Sequence, residues 1–165
     1  MRHIFALSAA VTLLFSVACK TMEIGVPQEV VILSFPGEAS VYINGEAVGV
    51  TPVQTSLPRK LTHEVKLVKA GYNPAVKYFT PVENERGKAL ITFGLVRDFG
   101  FYVDLTPNPM EGRLRTDLLP ESRGADPFEE MAKRVLEADR RLQEGEITAL
   151  EHRVITEQIL AFFDR

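Results

Sequence analysis

The chain has few of the residues on which disulfides, metal clusters and sugar-binding platforms depend. It contains one cysteine and no tryptophan in 165 residues. One cysteine excludes a disulfide within the chain and any zinc or iron–sulfur site that needs several cysteines. A net charge of −3, with no strongly basic half, argues against nucleic acid as a partner. No apolar run reaches the roughly 18 residues that a membrane-spanning helix needs.

The overall composition is that of a folded domain. Hydrophobic residues make up 45% of the chain and charged residues 25%, as in globular proteins. A chain of this length typically forms one domain, with at most a small addition.

The first 18 residues have the pattern of a secretory signal peptide. Arg2 and His3 form a short basic start, and the run from Ile4 to Ala18 is apolar or small and carries no charge. A basic start, a compact apolar run and small residues before a cleavage point are typical of such signals. The run is too short to serve as a permanent helical anchor.

The single cysteine lies where that signal ends. The sequence Phe15-Ser16-Val17-Ala18-Cys19 resembles the bacterial lipoprotein box, with serine at the position usually held by leucine. The resemblance implies that the Cys19 thiol receives a diacylglyceryl group, that cleavage occurs just before it, and that the new amine is acylated, as with palmitate. The alternative is a soluble secreted protein with a free thiol, which is unusual in an oxidising compartment.

Lipidation would attach the protein to a membrane through the acyl chains on Cys19. Two or more chains give stable anchoring, whereas one is marginal. By resemblance to enterobacterial lipoproteins, Lys20 after the cysteine favours the outer membrane, facing the periplasm, within the bacterial cell envelope. Residues 19–28 are interpreted as a lipidated tether, whose nine residues after Cys19 extend at most about 30 Å.

Short β-rich runs separated by turn residues occupy residues 29–95. Asn44-Gly45 lies between two such runs and is a strong signal for a type I′ hairpin. Frequent short strands of this kind predict a small antiparallel β-sandwich or barrel. A further strand is predicted from Lys88 to Phe93. The predicted core residues are Val31, Leu33, Val41, Ile43, Val48, Val65, Leu67, Ile91 and Phe93.

The turn residues of this region form a recognisable motif. The stretch from Pro36 to Pro52 contains Pro-Gly-Glu-Ala, a strand, Asn-Gly and Gly-Val-Thr-Pro, and Gly71-Tyr72 follows later. This pattern resembles a PEGA domain over about residues 28–82. The resemblance implies a β-sandwich module outside the cytoplasm, without catalytic activity and without a common ligand. The motif residues themselves have a structural explanation, because glycine and proline define turns.

Residues 96–125 are interpreted as a linker with a possible extra strand. Gly100-Phe101-Tyr102-Val103 would form that strand and pack on the sandwich. The alternative is an exposed apolar patch around Phe101 that faces the membrane or a partner. A loop is expected over residues 111–124.

Residues 126–164 have the pattern of a helical hairpin. Asp126, Pro127 and Glu129 predict the start of the first helix. Gly145 suits a left-handed end, and Thr148 with Glu151 predicts a capping box for the second helix. The apolar residues recur three and four apart. They are Phe128, Met131, Val135, Ala138 and Leu142, followed by Leu150, Val154, Ile155, Ile159, Phe162 and Phe163.

The hairpin also has a weak family resemblance. Gly145-Glu146-Ile147-Thr148 resembles the turn of the short C-terminal SHOCT-type module, and such modules are thought to support oligomerisation or partner binding. Two helices of this size bury little by themselves. We expect them to dock on the β domain or to self-associate.

The fold class expected from these elements is α+β. It comprises a signal peptide, a small antiparallel β-sandwich of the PEGA type and a C-terminal helical hairpin.

No catalytic, metal or cofactor site is predicted. His63 and His152 lie in different elements, are expected to face solvent, and have no cysteine or acidic cluster nearby in sequence. The serines are not in a Gly-x-Ser-x-Gly setting, and no glycine-rich phosphate loop is present. An enzyme is therefore not expected.

The expected function is that of a non-catalytic cell-envelope lipoprotein. It would present a β-sandwich protein-interaction module to an unidentified envelope protein at the membrane surface. The rival is a module that binds peptidoglycan or another carbohydrate, although the absence of tryptophan disfavours it. A third possibility is an assembly factor that self-associates through the C-terminal helices.

Overall fold

A computed structural model describes residues 22–89, 94–122 and 124–164. The predicted signal peptide and Cys19 lie outside these residues, as do Ile91 and Phe93 of the predicted core. The strands are β1 (Pro27–Phe35), β2 (Ser40–Ile43), β3 (Glu46–Val50), β4 (Val53–Pro58), β5 (His63–Val68), β6 (Ala75–Glu83), β7 (Val103–Thr106) and β8 (Met110–Arg113). The helices are α1 (Glu85–Ala89), α2 (Leu95–Asp98), α3 (Pro127–Gln143) and α4 (Ala149–Phe163).

The eight strands form two sheets, with order β4-β1-β8 in one and β3-β2-β5-β6-β7 in the other. The pairs β1–β4, β2–β3, β2–β5 and β6–β7 are antiparallel. The α+β class, with a β-sandwich and a C-terminal helical hairpin, is therefore confirmed. Within the described residues, no helix is long and apolar enough to cross a membrane.

Residue contacts divide the chain into two units. Unit 1 comprises the described residues of 1–32, 53–64 and 78–110, and unit 2 those of 33–52, 65–77 and 111–165. Strands β1, β5, β6 and β8 each contribute residues to both units.

In unit 1, side-chain amides connect strands of different sheets. The backbone N–H of Leu105 donates to Gln28 Oε1 at 2.8 Å, which connects β7 to β1. The side chain of Asn108 accepts from the N–H of Val31 at 3.0 Å and donates to the carbonyl of Glu29 at 3.0 Å. The buried apolar residues are Val30, Ile32, Leu57, Phe79, Leu105 and Met110.

In unit 2, the two sheets approach closely at a glycine. A Cβ placed on Gly112 of β8 would lie 2.1 Å from Cδ1 of Leu67 on β5, so only glycine fits without displacing that side chain. Asn44 and Gly45 have φ values of 51° and 88° and join paired residues Ile43 and Glu46. The predicted two-residue hairpin is therefore confirmed.

The prediction for the inward face of β1 was wrong. Val30 and Ile32 are fully buried, whereas Val31 and Leu33 are only half-buried. Side chains alternate between the faces of a strand, but this run is apolar on both faces. Alternation therefore could not identify the inner one. Val48 is also only half-buried, because β3 is an outer strand of its sheet.

Three local predictions after β6 also need correction. Lys88 and Ala89 end helix α1 instead of starting a strand. Asn84 directly precedes that helix, and its side-chain oxygen accepts from the N–H groups of Arg86 and Gly87 at 3.1 Å. The extra strand does form, but at Val103–Thr106. Residues 111–113, expected in a loop, belong to β8, where Gly112 is buried and its two neighbours are exposed.

The two C-terminal helices have the predicted ends. The Asp126 carboxylate accepts from the N–H of Glu129 at 3.1 Å, with Pro127 at the first helical position. Thr148 and Glu151 form the reciprocal capping box. Gly145 adopts a φ of 73° between the helices, as a left-handed helix end requires.

Candidate interaction groove

Three residues of the helical hairpin make polar contacts with the segments of unit 2 that follow β5 and β8. Lys69 Nζ lies 2.9 Å from Glu151 Oε1, and both side chains are largely buried. Arg141 donates to the carboxylate of Asp117 at 2.9 Å. The side chain of Gln158 accepts from the N–H of Thr116 at 2.8 Å and donates to the carbonyl of Leu114 at 2.9 Å. Helix α4 is therefore held beside the end of β8.

Thr116 joins three parts of unit 2. It is fully buried, and its hydroxyl donates to the carbonyl of Gly71 at 3.3 Å. Its carbonyl accepts from the Asn73 side chain at 3.3 Å, and its N–H is bound by Gln158. Buried backbone groups need such partners, so this residue fixes the Gly-Tyr turn and helix α4 relative to the segment after β8.

The tyrosine of the Gly-Tyr motif contributes to the same core. Tyr72 is 5% exposed and forms an isolated bridge with Thr116. Burial, together with the negative charges of Glu151 and Asp117, raises the pKa of Tyr72 to about 12. The ring is therefore a neutral structural group over the whole physiological pH range.

The threonine of the Gly-Val-Thr-Pro turn also has a structural role. Thr51 is 2% exposed. Its side-chain oxygen accepts from the N–H of Ala39 at 3.0 Å and lies 2.5 Å from the Ser34 hydroxyl. The backbone N–H of Thr51 donates to the carbonyl of Ala39 at 2.9 Å. This threonine therefore fastens the Pro-Gly-Glu-Ala turn, which explains the spacing of the two motif parts.

Glu151 couples the helix cap to the docking contact. Burial by itself raises its pKa, but hydrogen bonds from the Thr148 backbone and from Lys69 outweigh burial, so its pKa lies below the ordinary 4.5. A carboxylate whose pKa is lower in the folded state stabilises that state above its unfolded pKa. The stabilisation is lost as the pH falls through the folded pKa.

We therefore expect Glu151→Gln to lower the free energy of unfolding at pH 7 by about 1–3 kcal/mol, because Lys69 loses its charged partner. The difference in unfolding free energy should shrink as the pH falls below about 4.5, where Glu151 of the unfolded chain becomes protonated. It should vanish below the lower pKa that Glu151 has in the folded state. Urea denaturation at pH 7 and pH 3 measures both effects. Glu157→Gln on the same helix is the control, since its exposed contact with Arg153 contributes little. The same difference in unfolding free energy between wild type and Glu151→Gln at both pH values would contradict a stabilising role of the ionised Glu151.

A groove of about 660 Å³ lies within unit 2 between helix α4 and the strands β1 and β8. Leu33 and Phe35 contribute the β1 side, and Phe35 is 52% exposed. Strands β1 and β8 are neighbours in the sheet, and alternation places Leu33 and Phe35 on the face opposite Ile32. The groove is lined by Leu33, Ser34, Phe35, Glu111, Gly112, Arg113, Leu114, Val154, Glu157, Gln158 and Ala161. We call this the β1–α4 groove.

The β1–α4 groove combines apolar walls with charges of both signs. Glu111 and Arg113 are exposed on β8, and Glu157 is exposed on α4. A groove of this volume, mostly apolar with a few polar groups, is typical of binding sites. It can accept an apolar side chain and hold the polar groups on either side of it.

Sequence reasoning did not identify this groove. Cys19, the one site residue predicted, lies outside the described residues, and binding residues were left unknown. The available signal was the apolar character of Leu33 and Phe35, of which Leu33 was interpreted as a core residue. Residues of α4 meet that face only through a contact between segments more than 100 positions apart.

The structure places the two histidines in separate local contacts. His63 is 3% exposed, so the expectation that it faces solvent was wrong; its Nε2 lies 2.9 Å from the carbonyl of Pro58. His152 is half-buried, with Nε2 2.7 Å from the Asp139 carboxylate. Among residues 22–89, 94–122 and 124–164, no three His, Cys, Asp or Glu side chains converge on a common metal position.

Residues 28–95 match the PEGA domain family. The PEGA domain that the turn motif predicts is therefore confirmed. A PEGA domain suggests an extracellular or cell-envelope module. No curated protein and no solved structure matches the chain.

Proposed function

We propose that this protein is a non-catalytic cell-envelope lipoprotein that presents a protein-interaction module at the membrane surface. The lipid is attached to Cys19, and the outer membrane, on its periplasmic side, is the expected location. The PEGA domain supports the envelope assignment, and the signal peptide and lipoprotein box of the sequence support the anchor.

The β1–α4 groove carries the proposal of protein binding. Phe35 is a large aromatic side chain that is half exposed at a concave surface, and aromatic residues at such positions are typical anchors of protein interfaces. The partner we propose is an envelope protein that inserts an apolar side chain, such as leucine or phenylalanine, between Phe35 and α4. Polar neighbours of that side chain would contact Arg113 and Glu157.

In-cell photo-crosslinking tests this assignment. A photoreactive phenylalanine analogue replaces Phe35 in one protein and Tyr78 in the control, since Tyr78 is 51% exposed but lies in unit 1. We expect a discrete crosslinked protein at position 35 and none at position 78. Ala161→Glu, which places a charge in the groove wall, should reduce that product at least about tenfold, because an interface anchor contributes 2 kcal/mol or more.

Two outcomes would contradict the proposal. Equal crosslinking at both positions, or crosslinking that Ala161→Glu leaves unchanged, would remove the groove as the binding site. Binding of the protein to purified sacculi that is lost in Phe35→Ser would instead favour the peptidoglycan-binding alternative.

A further inference from the structure

Three chain segments of unit 1 meet at Lys60, next to the point where the described chain begins. The Lys60 ammonium donates to the carbonyl of Met22 at 2.6 Å and to that of Asp98 at 3.2 Å. The backbone N–H of Lys60 donates to the carbonyl of Ile24 at 3.0 Å. We call the meeting point of residues 22–26, 59–61 and 95–101 the Lys60 junction.

The junction is tightly packed. Gly25 and Gly100 both have positive φ values, of 81° and 80°. A Cβ on Gly25 would lie 2.8 Å from Cγ of Lys60, and one on Gly100 would lie 3.0 Å from the same atom. The N–H of Val26 also donates to the carbonyl of Phe99 at 2.8 Å. The part of the predicted tether from Met22 onwards is therefore fastened to the fold before β1 begins at Pro27.

This fastening places the predicted anchor close to the junction. Only two residues, Lys20 and Thr21, lie between Cys19 and Met22. The three residue-to-residue steps from Cys19 to Met22 span about 11 Å at most when fully extended. The lipid on Cys19, on which this inference rests, would hold the junction within that distance of the lipid headgroups.

Large apolar side chains are exposed at the same junction. Leu95 is 66% exposed and Phe101 is 44% exposed, and Leu61, directly after Lys60, is also exposed. Exposed apolar groups grouped in this way mark interaction surfaces. Leucine and phenylalanine bind a bilayer interface by burying apolar area among the acyl chains.

We propose that the Lys60 junction is a membrane-contact surface, with Leu61, Leu95 and Phe101 inserted into the lipid interface beside the acylated Cys19. The charged residues of the junction are Glu23, Arg59, Lys60, Arg97 and Asp98, and their formal charges sum to +1. Arg59 is paired with Asp104 at 2.8 Å, so the contact that we propose is mainly apolar. It orients unit 1 at the bilayer, which the acyl chains alone would not do.

Fluorescence quenching by lipid tests the contact on the full lipidated chain. The purified protein is reconstituted into phosphatidylcholine vesicles whose acyl chains carry bromine. Single cysteines at Leu95→Cys and Phe101→Cys carry an environment-sensitive fluorophore, since the thiol of an acylated Cys19 cannot react. Val50→Cys is the matched control, because Val50 is 56% exposed but lies on β3 in unit 2.

We expect brominated lipid to quench the probes at positions 95 and 101 and to leave the probe at position 50 unchanged. Thermal unfolding of each labelled protein verifies that the fold is intact. Vesicles that float with the protein but show equal quenching at all three positions would overturn the membrane contact and leave the anchor in place. Failure of the wild-type protein to float with vesicles would instead overturn the lipid anchor, and the contact with it.

Discussion

Replacement of Cys19 by alanine is expected to abolish incorporation of radiolabelled palmitate and to move the processed protein from the membrane fraction to the soluble fraction. Cys19 is the only cysteine in the chain and therefore carries its only thiol. A thiolate is needed to accept the diacylglyceryl group. Each buried methylene contributes about 0.8 kcal/mol to membrane binding. Loss of the acyl chains should therefore change the partition by many orders of magnitude.

Two further variants make this experiment specific. Cys19→Ser keeps the size of the side chain but replaces the thiol by a hydroxyl, so it should behave like Cys19→Ala. Ser16→Leu restores the usual leucine of the lipoprotein box and should retain the label. Electrophoretic size separates the processed protein from a precursor that remains in the membrane through its signal peptide. Unchanged labelling of Cys19→Ala, or a processed form of this variant that stays in the membrane fraction, would contradict the proposed anchor.

The second large effect is expected from Ile155→Ala in helix α4. Ile155 is fully buried, and truncation of a buried isoleucine to alanine costs about 2–5 kcal/mol of unfolding free energy. The loss combines the missing apolar burial with the cavity that remains. Urea denaturation of the chain from Lys20 onwards measures it as a lower midpoint.

Leu150→Ala is the matched control for this substitution. Leu150 lies on the same helix and is more than half exposed, so its truncation should change stability by less than about 0.5 kcal/mol. Similar losses for the two variants would show that α4 does not pack through the buried face that contains Ile155. The comparison thus distinguishes a helix α4 that packs through its buried face from one that is helical but not packed.

Features governed by neighbouring residues could be predicted from the sequence. The Asn44-Gly45 hairpin depends on two residues that tolerate positive φ. The helix starts at Asp126 and Thr148 depend on hydrogen bonds that span three residues. The PEGA motif likewise consists of turn residues with local requirements, and the family match agrees with it.

Features governed by distant partners were predicted less well. Val30 and Val31 have identical side chains, and only the packing of unit 1 makes the first one buried. His63 lies on the same face of β5 as the buried Val65 and Leu67. It was nevertheless expected in solvent, because the carbonyl of Pro58 that its ring contacts was not predicted. The contact of Gln158 with Thr116 joins residues 42 positions apart.

The sequence by itself determined the β-rich PEGA region, the helical hairpin with its caps, and the expectation of a signal peptide with a lipid on Cys19. These depend on composition and on residue patterns within a few positions of one another. Only the tertiary structure decided which face of β1 is buried, that α4 completes a groove with Phe35, and that exposed Leu95 and Phe101 lie beside the N-terminal segment. Each of these depends on which distant segments come together, because burial and surface shape are properties of packed elements and not of one strand or helix alone.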